Sequence, residues 1–234
     1  MVYVIEWARI LPEWLEIMDE HRKQRLNEVV YEPRQRLLVS EYDKYVKLPD
    51  TPHFDLLPHA DELARFPSFR DILKAPEGTQ LGEKPFESAF AKLPGLVEDW
   101  RKQLDSQLAE LVKIPARLSL QGTPSRQVMA SMGMAKLHLA CALFDSDNNV
   151  CFRHPEIFMI AKYSNPDGEI TNSTESFLGQ YRIKFSEEAP YVVRACGLDP
   201  NVATRDDMNR RNARLRCLSC SNRIMGWYEA VCLL

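Results

Sequence analysis

An amphipathic pattern runs through the middle of this chain, in residues 86–113. Its large apolar side chains recur every three or four positions, which is the spacing of one face of an α-helix. They are Val97, Trp100, Leu104, Leu108 and Leu111. Glu98 precedes Lys102 by four residues, but a surface ion pair of this kind stabilises a helix by only about 0.2–0.5 kcal/mol. Burial of the apolar stripe therefore has to stabilise this helix, and Pro94 and Gly95 are predicted to interrupt it near its start.

Two further helices are predicted nearer the N-terminus. The first has a face at the same helical spacing, made of Trp7, Leu11, Trp14, Leu15 and Met18. Pro12 is predicted to lie in its first turn, where the missing N–H of proline has no cost. The second covers residues 34–46 and is bracketed by Pro33 and Pro49, because proline rarely continues a helix.

The C-terminal third has a different pattern. Residues 150–152, 157–163 and 177–185 are rich in β-branched and aromatic side chains, which predicts strands. A short helix is predicted after the last of them, with Ser186 as its N-cap and Gly197 at its C-terminal end.

These patterns predict an α+β fold that is predominantly α-helical, with a small C-terminal antiparallel sheet. The sequence divides into a helical region, residues 1–136, and a small mixed α/β region with a degenerate cysteine site, residues 137–234. The two regions form either separate units or one continuous domain.

Composition excludes several classes of protein. The chain has 234 residues, of which 45% are hydrophobic and 27% charged, as is ordinary for a globular protein. A net charge of −3 does not favour wholesale nucleic-acid binding. No apolar run approaches the ~18–20 residues of a membrane span, and the N-terminus lacks the basic segment of a secretory signal. The predicted location is the cytoplasm or nucleus, where the six cysteines would be reduced thiols.

The only paired-cysteine motif predicts a candidate zinc site. Cys217 and Cys220 have the CxxC spacing of a zinc knuckle, and Cys232 could supply a third thiolate. His154 or Cys151 could complete the site, because imidazole also suits zinc. Other upstream candidates are Cys141 and His138. A lone CxxC is weak evidence, and the alternative that Cys196 and Cys232 are small buried apolar side chains is favoured over a four-ligand zinc site. The prediction is therefore no cofactor, with zinc as the alternative.

Catalytic motifs are absent from the sequence. It has no G-x-S-x-G nucleophile elbow, no H-E-x-x-H pair and no glycine-rich phosphate loop, and its nine glycines do not cluster. The chain is accordingly predicted not to be an enzyme.

Arginines cluster around the CxxC motif. The cluster comprises Arg205, Arg210, Arg211, Arg214, Arg216 and Arg223. Asp206 and Asp207 lie in the same stretch, and no aromatic residue for base stacking occurs until Trp227. A solvated face or a site for an acidic partner is therefore favoured over nucleic acid. The predicted interaction residues are Arg210, Arg211, Arg214, Arg216 and Trp227.

Four motifs resemble a known family in matching order. They are LPGLVEDWR at 93–101, VRACGLDP at 193–200, RCLSC at 216–220 and MGW at 225–227. Together they are similar to a family of basidiomycete F-box and F-box-like proteins. The resemblance implies a region that normally follows an F-box, which recruits a Skp1-type adaptor of a ubiquitin ligase. The remainder would be a substrate-recognising or structural domain.

The sequence departs from that family in three places. Residues 11–17 echo the opening of an F-box, but the rest of the F-box signature does not follow. Oxygen ligands at residues 145–149 stand where relatives carry a second CxxC, and such ligands are poor replacements for paired thiolates. The sequence also ends near Cys232, where relatives continue through a histidine. These departures imply a shortened or degenerate member that has lost zinc or binds it weakly.

The leading prediction is a non-enzymatic intracellular protein-interaction protein, similar to the substrate-side region of fungal F-box proteins. Its predicted contact surface combines the exposed face of the helix in residues 86–113 with the arginine cluster. The partner would be another protein, whereas a Skp1-type adaptor, nucleic acid and membrane are not expected. The alternative is a small zinc-binding module that contacts nucleic acid through the arginines.

Overall fold

The computed structural model describes residues 2–48, 57–79, 81–118, 132–147, 150–164, 170, 175–217 and 223–233, without the side chains of residues 2–9, 27 and 28. Its α-helices are α1 (Val2–Leu26), α2 (Glu32–Val46), α3 (Ala60–Arg65), α4 (Pro67–Leu73), α5 (Glu83–Phe90), α6 (Leu93–Leu111), α7 (Ile160–Ser164), α8 (Phe177–Gln180), α9 (Ala189–Ala195), α10 (Arg205–Arg211) and α11 (Trp227–Cys232). Its strands are β1 (Leu143–Asp145), β2 (Cys151–Arg153), β3 (Lys184–Phe185), β4 (Leu215–Arg216) and β5 (Ile224–Met225).

Shorter helical segments complete the description. A π-helical turn, Asn27–Tyr31, joins α1 to α2, and 3₁₀ turns occupy Ala116–Leu118, Gly133–His138 and Glu156–Met159. Within the part of the chain that the structure describes, no helix is long and apolar enough to cross a membrane.

The predicted fold class is confirmed, because helices predominate and the sheets are small and antiparallel. The larger sheet has the order β2-β1-β3, and its central strand places Phe144 opposite both Phe152 and Phe185. Strands β4 and β5 form a separate pair, in which Leu215 lies opposite Met225.

The chain forms two compact units. Among the described residues, the first unit contains mainly residues 2–48, 59–79 and 81–94, and the second contains mainly the residues from 95 onward. The division predicted from the sequence is a different one. It separates a helical region, residues 1–136, from a mixed α/β region, residues 137–234, and it stays a prediction.

The core of the first unit is aromatic. Phe90 of α5 lies between two tyrosines of α2 and Phe69 of α4, with ring centroids 5.0 Å from Tyr45 and 5.1 Å from Phe69. Each of the helices α2 to α5 contributes a fully buried side chain, namely Leu38, Leu63, Phe69 and Phe86. Helices α2 to α5 therefore share one apolar core.

The helix predicted for residues 86–113 is two helices. The break falls at Ala91 and Lys92, between α5 and α6, whereas Pro94 and Gly95 lie inside the first turn of α6. A proline near the start of a helix replaces an N–H that has no intrahelical acceptor, so it is tolerated there. The predicted stripe is buried at Val97, Trp100, Leu104 and Leu108. The predicted ion pair also forms, with Lys102 Nζ 2.7 Å from Glu98 Oε1.

Some predicted strands are helices. Residues 157–163 lie in a 3₁₀ turn and α7, because the buried side chains there are Ile157, Phe158, Ile160 and Ala161, which is helical spacing. Residues 177–185 begin as α8 and become strand only at Lys184. Residues 151–153 form the predicted strand.

Helix α9 starts later than predicted and ends where predicted. Its N-cap residue is Glu188 instead of Ser186, and Pro190 occupies its first turn. At the other end, Gly197 has φ +82°. The Gly197 N–H donates to the Arg194 carbonyl and the Leu198 N–H to the Val193 carbonyl, which is the Schellman pattern. Gly197 is therefore required by the backbone conformation.

Replacing Gly197 with alanine is expected to lower the free energy of unfolding by about 1–2 kcal/mol, because a side chain disfavours the left-handed conformation. Gly95 provides the matched control. A methyl group there meets no atom within 4 Å, and the residue is helical, so Gly95→Ala is expected to stabilise by about 0.5–1 kcal/mol. Urea denaturation of both variants measures the difference. Equal effects of the two substitutions would contradict this assignment.

Candidate functional site

The most unusual surface of the molecule is helix α1. Every residue from Ile10 to Arg25 is exposed, although six of these are large apolar residues. Trp14 is 54% exposed and Met18 is 62% exposed. The others are Ile10, Leu11, Leu15 and Ile17. Isolated helices are marginal in water, and most helices in proteins are stabilised by packing of an apolar face. Helix α1 thus has such an apolar face, but this face is exposed to solvent.

The six apolar residues share one side of α1. With successive residues 100° apart, they fall within an arc of about 160°. Glu13, Glu16 and Glu20 project from the opposite side. Arg22 and Arg25 lie one to two turns beyond the apolar residues and project from the same side as they do. One side of α1 thus carries the apolar residues and, toward the C-terminal end of the helix, two arginines. The opposite side carries glutamates.

Two predictions about α1 have different outcomes. The predicted helical face is confirmed as helix, since α1 spans Val2–Leu26. The predicted position of Pro12 is wrong, because this proline lies inside the helix and not in its first turn. The periodicity of the sequence identified the helix, but periodicity does not reveal whether its apolar face is covered.

The predicted contact surface on α6 has another character. Its outward-facing residues are Glu98, Asp99, Lys102, Gln103, Ser106 and Glu110. These are polar, and one pair of them is joined as an ion pair. Contacts through this face stay a prediction, and the apolar face of α1 is the stronger candidate for a protein interface.

The second candidate region is a pair of thiols. The Cys151 thiol, on β2, has the Cys232 thiol and the Asp145 carboxyl group as neighbours. Asp145 lies directly opposite Cys151 in the β1–β2 pair, and Cys232 is the last residue of α11. Burial, followed by the neighbouring Cys232 and Asp145, raises the pKa of the Cys151 thiol. Cys151 is 8% exposed, whereas Cys232 is half-buried.

Helix α11 is held against β2 by Tyr228. The Tyr228 hydroxyl donates to the Cys151 carbonyl at 3.0 Å, and the Arg153 guanidinium lies 5.1 Å from the centre of the tyrosine ring. Tyr228 and Cys232 are four residues apart and so share one face of α11. The contact at Tyr228 therefore turns toward β2 the face of α11 that also carries Cys232.

A cavity lies beside Cys151. Its volume is about 310 Å³, and it opens to solvent. It is lined by Val150, Cys151, Phe152, Glu156, Met159 and Tyr163. The cavity gives Cys151 a route to the surface despite its burial.

The structure places the predicted zinc ligands in different surroundings. Cys217 follows β4, and its N–H donates to the Arg223 carbonyl at 3.1 Å. Cys220 lies outside the described residues. His154 Nε2 is 2.9 Å from Asp105 Oδ1 on α6. Cys232 neighbours Cys151, which the sequence offered as an alternative ligand.

The further upstream candidates are separate from this pair. The Cys141 thiol is buried and donates to the Pro200 carbonyl at 3.2 Å, and burial raises its pKa to about 12. The His138 ring packs edge-on against the His154 ring. Among the described residues, no three His, Cys, Asp or Glu side chains form a group that could hold a metal ion. Zinc binding by the motif that includes Cys220 stays a prediction.

Members of the arginine cluster contact groups of this chain. Arg210 pairs with Asp207, and Arg223 pairs with Glu229. The backbone and hydroxyl of Thr204, together with Arg210, lower the pKa of Asp207 to about 2. Arg210 therefore faces a carboxylate that stays ionised at neutral pH.

Three further predicted interaction residues lie on or near α10 and β4. Arg211 Nε donates to the Cys196 carbonyl at 3.3 Å, at the end of α9, and Arg214 and Arg216 are exposed. Trp227 is 7% exposed and its indole N–H donates to Asn209. The tryptophan is therefore part of the core of the second unit.

A scan of protein-family models, a search of curated proteins and a search of solved structures found no match to this chain.

Proposed function

We propose that this chain is a non-enzymatic protein-interaction protein and that a partner binds the apolar face of α1. One observation carries the proposal: six large apolar side chains are exposed along one side of this helix. Fully burying a leucine, isoleucine or methionine side chain contributes about 1.5–3 kcal/mol, so covering this face would drive association. Soluble monomers rarely leave a contiguous apolar patch of this kind uncovered.

The charge pattern of α1 indicates the chemistry of the partner. An amphipathic helix of this kind is bound in an apolar groove. Because Arg22 and Arg25 continue the apolar side, the matching groove has an acidic rim at the end that receives them. The glutamates on the back of α1 would remain in solvent. A second copy of this chain fits less well, since parallel pairing of two α1 helices would bring their arginines together.

The resemblance noted from the sequence agrees with this proposal. A substrate-side region of an F-box-like protein acts by binding another protein. On this basis the chain would act in the cytoplasm or nucleus, without a cofactor. A Skp1-type adaptor is not the expected partner, because the F-box signature is incomplete.

The proposal is tested by removing the apolar face while keeping the helix. The variant is Trp14→Gln/Met18→Gln, because glutamine is a good helix former. Proteins captured by the wild type are identified, and the affinity of each is then measured with purified components. We expect one partner to bind the variant at least tenfold more weakly, with unchanged far-UV circular dichroism. Loss of a single anchoring aromatic side chain commonly has an effect of this size.

A control on the opposite side of α1 isolates the apolar contribution. Glu13→Gln/Glu20→Gln changes two solvent-facing positions and is expected to leave affinity unchanged. Arg22→Gln/Arg25→Gln is expected to weaken binding and to reduce its dependence on salt. The proposal is overturned if every partner binds the Trp14→Gln/Met18→Gln variant as tightly as the wild type. Dimerisation in light scattering, abolished by this variant, would instead assign the face to self-association.

A further inference from the structure

We propose that the cavity bordered by β2 and α7 is a binding site for a small, neutral aromatic molecule that carries one hydrogen-bond donor on its ring. This inference concerns the second unit and is independent of the function proposed for α1. The cavity volume is about 310 Å³. Ligand pockets range from roughly 300 to 1,000 Å³, so a ligand of this site has only one or two rings.

Consecutive segments of the chain form the walls of the cavity. Phe152 on β2 and Val150 just before it contribute one part of the lining. Glu156 and Met159 of the 3₁₀ turn and Tyr163 of α7 contribute another. Side chains three residues apart in a 3₁₀ helix lie one above the other, so Glu156 and Met159 share a face. This spacing places a single carboxylate beside an otherwise apolar wall.

The aromatic side chains favour an aromatic ligand. The ring centroids of Phe152 and Tyr163 are 6.2 Å apart, and the ring planes are inclined by 35°. Tyr163 is 66% exposed and Val150 is 46% exposed, so part of the apolar lining is in contact with solvent. A flat ring that enters the cavity would bury this apolar surface and would pack against the two aromatic side chains.

Glu156 accounts for the hydrogen-bond donor of the ligand. Arg153 Nε donates to Glu156 Oε1 at 2.7 Å. A carboxylate has about four lone-pair positions, so Glu156 can accept a further hydrogen bond from a ligand. Because Arg153 balances the charge of Glu156, a neutral N–H or O–H group fits this site better than a cation does.

Indole and N-methylindole test the site on the full chain, because they share a ring system and only indole has an N–H donor. Isotope-labelled methionine methyl groups report binding by NMR, and Met159→Leu assigns the Met159 signal. We expect indole to shift this signal and to leave unchanged that of Met18, on the exposed face of α1. N-methylindole is expected to bind about tenfold more weakly, since hydrogen bonds to charged groups are among the stronger ones.

Tryptamine tests the charge of the ligand. It has the indole ring and an ammonium group, and it is expected to bind no more tightly than indole. Glu156→Gln is expected to reduce the preference for indole over N-methylindole, because a neutral amide oxygen is a weaker acceptor than a carboxylate. The affinity of this variant for N-methylindole is expected to equal that of the wild type.

Two exposed tyrosines give a matched pair of variants. Tyr163→Ala removes one aromatic wall and is expected to weaken indole binding about fivefold. Tyr191→Ala removes a tyrosine that does not line the cavity and is expected to leave the affinity unchanged. The proposal is overturned if the Met159 signal is unmoved at the solubility limit of indole, or if Tyr163→Ala binds indole as tightly as the wild type. It is also overturned if N-methylindole equals indole in affinity or if tryptamine exceeds it.

Discussion

Phe144→Ala is expected to lower the free energy of unfolding by about 3–5 kcal/mol, the range for removal of a buried phenylalanine side chain. Phe144 is fully buried and lies in the central strand of the three-stranded sheet. It is opposite Phe152 on one side and Phe185 on the other. Directly opposed side chains project to the same face of a sheet, so alanine would leave a cavity between two aromatic residues.

Urea denaturation followed by far-UV circular dichroism measures this loss. Phe144→Leu is expected to cost less, because it leaves a smaller cavity. Val150→Ala is the matched control, since Val150 precedes β2 but is 46% exposed, and a change within about 0.5 kcal/mol is expected there. A loss below about 1 kcal/mol for Phe144→Ala would show that this side chain does not fill the core of the second unit.

Periodicity predicted the main helices because it reflects burial directly. In α6, the residues at three- and four-residue spacing are the buried ones, including Trp100 and Leu108. The same logic predicted α2, although Pro33 lies in the first turn of this helix and not before it. Glycine at a helix end was equally informative, because Gly197 adopts a backbone conformation that other residues disfavour.

Apolar periodicity alone does not distinguish an amphipathic helix whose apolar face is buried from one whose apolar face is exposed. Helices α1 and α6 have the same apolar spacing, yet the stripe of α6 is buried and that of α1 is exposed. Burial depends on what packs against a helix, which is a property of the tertiary structure. Short apolar runs were ambiguous for a related reason. Residues 157–163 are rich in β-branched and aromatic side chains, and only packing selected helix for them.

The candidate thiol site was also beyond sequence reasoning. The CxxC spacing drew attention to Cys217 and Cys220, whereas the thiol that neighbours Cys232 is that of Cys151. This arrangement depends on the β1–β2 register and on the position of Tyr228 on α11. Neither feature leaves a motif in the sequence, because the two residues become neighbours only after the second unit has folded.

Arg34 is a second position whose importance the sequence conceals. It lies on α2 but is only 7% exposed, and its guanidinium donates to the carbonyls of Leu73, Ala75 and Pro76. These carbonyls are at and just beyond the end of α4, where they lack intrahelical donors. The positive charge also lies at the negative end of the α4 dipole. Arg34 thus joins α2 to the C-terminal end of α4.

Arg34→Ala is expected to lower the free energy of unfolding by about 3 kcal/mol, because it removes the donor of the buried Leu73 carbonyl and of the part-buried Ala75 and Pro76 carbonyls. Arg34→Met would keep the packing of the side-chain stem and lose only the donors, so its effect isolates the hydrogen bonds. Arg34→Lys would retain the charge, but a single ammonium group cannot reproduce the planar fork that spans these acceptors.

The neighbouring Arg36 provides the control on the same helix. It is exposed and forms an ion pair with Glu32 at 3.0 Å, so Arg36→Ala is expected to change stability by less than about 0.5 kcal/mol. Thermal and urea denaturation of all four variants give the comparison, and amide exchange at the end of α4 reports the local effect. If Arg34→Met is as stable as the wild type, the carbonyls need no guanidinium, and the apolar core around Phe90 alone holds α2 against α4.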